Sequence, residues 1–238
     1  MPIHGIFASS MQQGGGSSLL TNILGYWNLD EITGTVINDQ VGTLHGTSSA
    51  LINQTGKIGK AIDFNGSTEY CTLPNGAQPT ATSQAFSFWF NEDAVVGTAT
   101  SGLICLRTAD DYSKTRLAID QYRKLDCYVD DGVSQKGLYY NSALTLDAWY
   151  HVVLNIPGNG IAADLWLNGS KVASSAVLQA APGHWDGLIA LGDLSPTGSY
   201  RPLNGLLDEI GIWNRSLTDT EIIDTLWNSG NGRTHPFN

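Results

Sequence analysis

Leu165-Trp166-Leu167-Asn168-Gly169-Ser170-Lys171-Val172 is the stretch whose reading decides the fold class. Apolar and polar residues alternate on both sides of Asn-Gly, a pair that accepts positive φ at both central positions of a type I′ turn. A two-residue loop there sets Leu165 opposite Val172 on the core side and Trp166 opposite Lys171 on the outer side, the ammonium over the indole. The same period of two recurs elsewhere. Phe86, Phe88 and Phe90 share one face, with Ser87 and Trp89 on the other. Tyr150, Val152, Leu154 and Ile156 alternate with Trp149, His151, Val153 and Asn155. Strands also fit Ile104 to Leu106, Leu117 to Ile119, Ala163 to Leu167, Leu188 to Leu191 and Leu206 to Trp213. Short alternating runs parted by turn residues predict an all-β antiparallel sandwich.

The totals agree. The chain has 238 residues, 42% of them hydrophobic and only 14% charged, with 27 glycines to serve many turns. Residues 1–18 read as an N-terminal arm ending in the Gly14-Gly15-Gly16-Ser17-Ser18 linker, and residues 19–238 as one domain. A formal net charge of −10 repels phosphate backbones and anionic lipid, so neither nucleic acid nor membrane is expected as a partner. The first residues lack a basic region and a continuous apolar run, so no secretory signal is expected. Cys127 alternates with Leu125 and Val129 and reads as a buried thiol; Cys71 and Cys105 lie far from it in sequence, and pairing or metal ligation stays open.

One helix is expected, from about Asp219 to Asn228. Thr218 and Glu221 have capping-box spacing, Leu217 and Ile222 the spacing of a hydrophobic staple. Ile222, Ile223, Leu226 and Trp227 form an apolar face, and Gly230 fits the stop. So short a helix needs a sheet edge or a sandwich end to pack against.

Several segments, in order, resemble the laminin-G-like domains of the concanavalin-A superfamily. They are Gly25-Tyr26-Trp27-Asn28-Leu29-Asp30-Glu31, Gly56 to Gly66, Phe86 to Phe90, Trp149-Tyr150-His151-Val152, Leu167-Asn168-Gly169, and Gly205-Leu206-Leu207-Asp208-Glu209-Ile210 running on to Thr218. The resemblance covers roughly residues 22 to 232 and implies a jelly-roll sandwich. Met1 to Ser10 carries a second one, to the N-terminal peptide of tailed-bacteriophage virion proteins.

These resemblances set the functional expectations. Glycosidases of similar fold carry catalytic carboxylates as Glu-x-Asp-x-x-Glu or a near variant, flanking the scissile bond. Here Asp208 and Glu209 are adjacent, on opposite faces of a regular strand, and no third acid follows; a non-enzymatic protein is expected. His4, His45, His151, His184 and His235 lack metal-ligand spacing, and His151 reads as a satisfied imidazole on a strand's outer face. Related domains often bind calcium, and Asp30, Glu31, Asp39 and Asp208 are the candidate ligands; the alternative is that Asp208 is buried and bonded to amides. A glycan would use Tyr112, Trp185, Tyr200 and Arg201, with Tyr139 and Tyr140 in reserve, unless these rings pack in the core or an interface. The leading expectation is a virion structural protein, as head decoration or tail appendage. It would be held to other virion proteins by Ile3, Ile6 and Phe7 of its arm and assemble as a homo-oligomer. A carbohydrate-binding module for host polysaccharide is the alternative, and a glycoside hydrolase is disfavoured.

Overall fold

The computed structural model describes residues 18–97, 100–108, 113–180, 182, 186–195 and 200–237, with residues 51 and 113 described by their backbone alone. Ile3, Ile6, Phe7, Tyr112 and Trp185 therefore lie outside the described residues. The strands are β1 (Ile23–Trp27), β2 (Val36–Ile37), β3 (Gly46–Ser48), β4 (Leu51–Thr55), β5 (Lys60–Asn65), β6 (Cys71–Leu73), β7 (Gln84–Glu92) and β8 (Ser101–Arg107). They continue as β9 (Ser113–Ile119), β10 (Leu125–Asp130), β11 (Gln135–Tyr140), β12 (Trp149–Ile156), β13 (Ala162–Leu167), β14 (Ser170–Val177), β15 (Ile189–Leu191) and β16 (Asn204–Trp213). The first sheet runs β14-β13-β12-β7-β16-β5-β4, with β1 also on β16; the second runs β11-β10-β9-β8-β15-β6-β3-β2. Every pairing described is antiparallel, as the alternating runs predict.

The core lies between the sheets. Phe86, Phe88, Phe90, Val152, Leu154, Ile156, Leu207, Ile210 and Ile212 enter it from the first, and Ile104, Leu106, Leu117, Ile119, Leu125, Cys127, Val129 and Leu138 from the second. Each fully buried apolar side chain is worth roughly 1.5–3 kcal/mol in transfer terms. All three cysteines are buried free thiols.

The hairpin forms with a corrected register. Asn168 (φ 50°) and Gly169 (φ 73°) make the turn. Trp166 faces Lys171, whose Nζ sits 5.2 Å from the indole centroid and 2.7 Å from Asp164. A bulge between Leu165 and Trp166 then pairs Leu165 with Ala173 rather than Val172.

The outer face of the first sheet is not solvated. Leu19, Tyr26, Ala85, Val153, Trp166, Trp213, Leu217, Ile222, Leu226 and Phe237 build a second apolar cluster upon it. The helix therefore packs flat on that face, not at an edge or end. Asp219 and Thr220 open it, and Glu221–Trp227 are wound as a π-helix. Thr218 and Glu221 exchange the expected capping bonds: the Thr218 amide donates to Glu221 Oε2 at 2.8 Å and the Glu221 amide to Thr218 Oγ1 at 3.2 Å. Asn228 (φ 47°), not Gly230, takes the left-handed position that ends the helix. The wider winding leaves Ile223 exposed while Trp227 stacks on Trp89, centroids 5.4 Å apart. His151 is sealed under this cover and only half satisfied. Its Nε2 meets Ser87 Oγ at 2.9 Å, Nδ1 has no partner, and burial pushes its pKa down to about 3.

Because the cap starts the segment that closes the second cluster, Thr218→Ala should cost about 1 kcal/mol, read as a lower midpoint in equilibrium unfolding. An unchanged midpoint would show that the cap does not hold the helix.

Candidate functional site

Two places gather polar chemistry. The first is the middle of β16. Leu207 and Ile210 both point into the core, so the two acids between them share the outer face. The cause is a bulge: Glu209 is left-handed (φ 54°), and the register against β7 slips between Asp208 and Gly211. The expectation that Asp208 and Glu209 oppose each other across a regular strand is thus corrected. Both are buried. The amide of Ile58 donates to Asp208 Oδ2 at 2.9 Å, and the Tyr26 hydroxyl donates to Glu209. Burial, with the neighbouring acids, pushes Asp208 up to about 9 and Glu209 up to about 7.

The expected calcium ligands are divided among separate tasks. Asp39 accepts amides of Tyr26, Val41, Gly42 and Leu44 at 2.9–3.1 Å, which occupies both its oxygens. Glu31 binds the amide and side chain of Asn38 through Oε1. Neither faces a common site with Asp208. Asp30 does lie on the same Gly56–Lys60 turn, accepting the Lys60 amide at 2.6 Å and the Asn28 amide group at 2.7 Å. Around this turn Asn28 Oδ1, Asp208 Oδ1 and Glu209 Oε1 are buried without partners. Among the described residues no group of three or more His, Cys, Asp or Glu is placed to hold a metal ion.

The second place is the outer face of the second sheet. Since Leu117, Leu125, Cys127, Val129 and Leu138 point inward, Lys114, Arg116, Asp126, Tyr128, Asp130 and Tyr139 point out. Tyr128 pairs directly with Arg116 across β9 and β10, and Asp126 with Tyr139 across β10 and β11. The Arg116 guanidinium lies 4.5 Å over the Tyr128 ring and 3.2 Å from Asp126; Lys114 reaches Asp130 at 3.3 Å. Tyr139 crosses Gly137, where any Cβ would meet its ring at 2.4–2.5 Å, and stands edge-on to Tyr128 with the hydroxyls 3.1 Å apart. That hydrogen bond, with burial, pushes Tyr128 up to about 12, so its phenol keeps its proton.

A loop borders this face. The Asp193 carboxylate, fully buried, accepts the amides of Ser195, Tyr200 and Arg201 at 2.9–3.1 Å. The Gly102 amide donates to the Arg201 carbonyl at 2.8 Å, and a Cβ on Gly102 would strike the Asp193 backbone at 2.5 Å. Leu194 packs on Cys105, Ala118 and Ala190, small residues of the same outer face. The loop thus presents Tyr200, 61% exposed, with the Arg201 guanidinium 5.2 Å over its ring. Of the expected glycan residues, Tyr200 and Arg201 stand here and Tyr139 joins them, while Tyr140 packs against the core. Arg116 and Tyr128 were missed, though the inward alternation of Leu125, Cys127 and Val129 already turns Tyr128 outward.

No curated protein matches the chain in sequence. Solved structures of the same fold include domain 4 of AbnA, a GH43 extracellular arabinanase from Geobacillus stearothermophilus, in complex with arabinotriose. It is 17% identical with a TM-score of 0.64, over 85% of this chain and 97% of that one. Trypanosoma rangeli sialidase, with a difluoro-KDN ligand, is 15% identical with a TM-score of 0.66, over 96% of this chain and 36% of that one. The binding domain of Paraclostridial Mosquitocidal Protein 1 is 16% identical with a TM-score of 0.70, over 89% and 53%. The chain thus spans about a third of the sialidase and about half of the mosquitocidal chain. At these identities the likeness carries the fold alone. It still overturns the expectation of a non-enzymatic protein, because chains from an arabinanase and a sialidase share this fold. One support of that expectation, acids on opposite faces, has also fallen. Residues 65–223 match the family model described as the Concanavalin A-like lectin/glucanases superfamily, and with two antiparallel sheets closed over one core the chain belongs to that laminin-G-like family.

Proposed function

We propose that this chain is a carbohydrate-binding, lectin-like module that holds its ligand on the outer face of the second sheet. The observation that carries the reading is the Arg116–Tyr128–Tyr139 surface beside the loop bearing Tyr200 and Arg201. Exposed rings offer apolar faces to sugar C–H groups, while the adjoining guanidinium, carboxylate and phenols offer donors and acceptors to hydroxyls. Support comes from a domain of the same fold seen with arabinotriose. Tyr128 and Tyr139 sit on paired strands, so little ordering entropy is lost there when a ligand arrives. Tyr128→Ala should weaken glycan binding about tenfold, or ~1.4 kcal/mol, with a nearly unchanged melting temperature, since the ring lies outside the core. Full binding by that variant, measured calorimetrically against a glycan found on an array, would overturn the site.

A structural calcium ion is part of the proposal, beside Asp30 and Asp208 and without Asp39 or Glu31. It would supply positive charge to the unpartnered oxygens of Asn28, Asp208 and Glu209. Such an ion binds the folded chain alone, so adding calcium after chelation should raise the melting temperature. An unchanged melt over millimolar calcium rejects the ion.

A second reading keeps the chain in a phage particle, attached through residues 2–13. Its support is the resemblance of Met1 to Ser10 to the N-terminal peptide of tailed-bacteriophage virion proteins, and the chain that follows is held at its root. Leu19 is buried, Trp213 Nε1 donates to its carbonyl at 2.7 Å, and Arg215 donates to the carbonyls of Ser18 and Thr21 at 2.9 and 2.8 Å. Chain preceding Ser18 thus starts from a fixed anchor on the sandwich. Removing residues 1–17 should leave the domain folded and abolish its co-sedimentation with particles lacking the protein; retained co-sedimentation defeats this reading.

A further inference from the structure

The outer face of the second sheet and its bordering loop carry Lys114, Arg116 and Arg201 among their cations and Asp126, Asp130 and the buried Asp193 among their carboxylates, in a chain whose net charge is −10. Lys114 and Arg116 each have a carboxylate within 3.3 Å. Arg201 has none among the described residues; its guanidinium rests on the ring of Tyr200. From this arrangement we propose that the ligand is a carboxylate-bearing glycan, its acid group received by Arg201 and its sugar rings by the tyrosines. The proposal rests on the glycan-binding reading above and specifies its ligand class.

The backbone of Arg201 is held on both sides. Its amide is tied to Asp193 and its carbonyl to the Gly102 amide, so the position of the side chain's root is set by the sheet. With its central carbon 5.2 Å from the Tyr200 centroid and no carboxylate beside it among the described residues, the guanidinium has the planar fork that meets a carboxylate with two parallel bonds. A side chain held at its root and lying on a ring loses little freedom on forming such a pair. The protein's overall negative charge does not oppose this strongly. At physiological ionic strength the Debye length is about 8 Å, so distant acids are largely screened while a direct contact is not. Position also constrains ligand size. Arg201 borders β8 and Tyr128 lies on β10, two to three strand spacings or roughly 10–15 Å away. Contact with both requires an oligosaccharide.

The test uses the full chain on an array of neutral, sulfated and carboxylated oligosaccharides, followed by calorimetry of a bound acid and its methyl ester. Uronate- or sialate-bearing members should be retained preferentially, with the free acid bound at least tenfold more tightly than its ester. Arg201→Ala should erase the preference for acid over ester, and Arg201→Lys should restore only part of it, because an ammonium lacks the planar fork. Melting curves confirm that each variant is folded. If the ester binds as tightly as the acid, or sulfated or neutral members are preferred, the carboxylate inference fails and the glycan-binding reading survives. If Arg201→Ala keeps the preference, the assignment to Arg201 fails. No binding to any member overturns both readings.

Discussion

The bulge at Glu209 is the constraint on which the first sheet turns. β16 is flanked by β7 along its length, but its other edge changes partner: residues 204–207 pair with β5, and residues from Ile210 onward pair with β1. A left-handed residue between the two halves allows that change and increases the local twist. It also leaves two adjacent carboxyls on one face. Burying both as anions so close together would be prohibitive, and the chain answers with proton retention, the Tyr26 hydroxyl, and amides from the Gly56–Lys60 turn. The C-terminal residues seal the arrangement, the Tyr26 ring packing edge-on against Phe237 at 5.0 Å.

How much of this was legible follows from which features repeat. Phe86, Phe88 and Phe90, the Asn168-Gly169 turn and the Thr218–Glu221 cap are local patterns, and each formed where its spacing placed it. The bulges at Leu165 and Glu209 break a period without changing composition, so nothing in the residues announced them. The covered face was hidden for a related reason. Trp89, His151 and Trp166 alternate as outer-face residues should, yet whether an outer face meets water or a later segment depends on where the chain returns, and Leu217, Ile222 and Leu226 were too few to reveal it. Arg116 and Tyr128 were readable but looked like an ordinary solvated strand face. Only their pairing across strands, which period alone does not give, joins them to Tyr139.

The two sheets consequently differ in what their outer faces can do. Cover by the helix and the residues through Phe237 turns one face of the first sheet into a second core, where Trp213 and Leu19 are buried and His151 stays neutral. Any ligand there must displace packed side chains. On the second sheet, Leu194 covers only the patch of small residues around Cys105, while the strands from β9 to β11 present charged and phenolic groups with their bonds largely satisfied by one another.

That contrast bears on the enzyme question. Catalysis by paired acids needs carboxyls that reach a substrate with their ionisation split between donor and acceptor. Asp208 and Glu209 have unequal, raised pKa values, which is the electronic half of the requirement, but both lie under the C-terminal cover. On the second sheet the acids are paired instead, Asp126 with Arg116 at 3.2 Å and Asp130 with Lys114 at 3.3 Å. Access of a substrate to Asp208 and Glu209 therefore depends on the C-terminal cover, which the packing of Tyr26 against Phe237 helps to close.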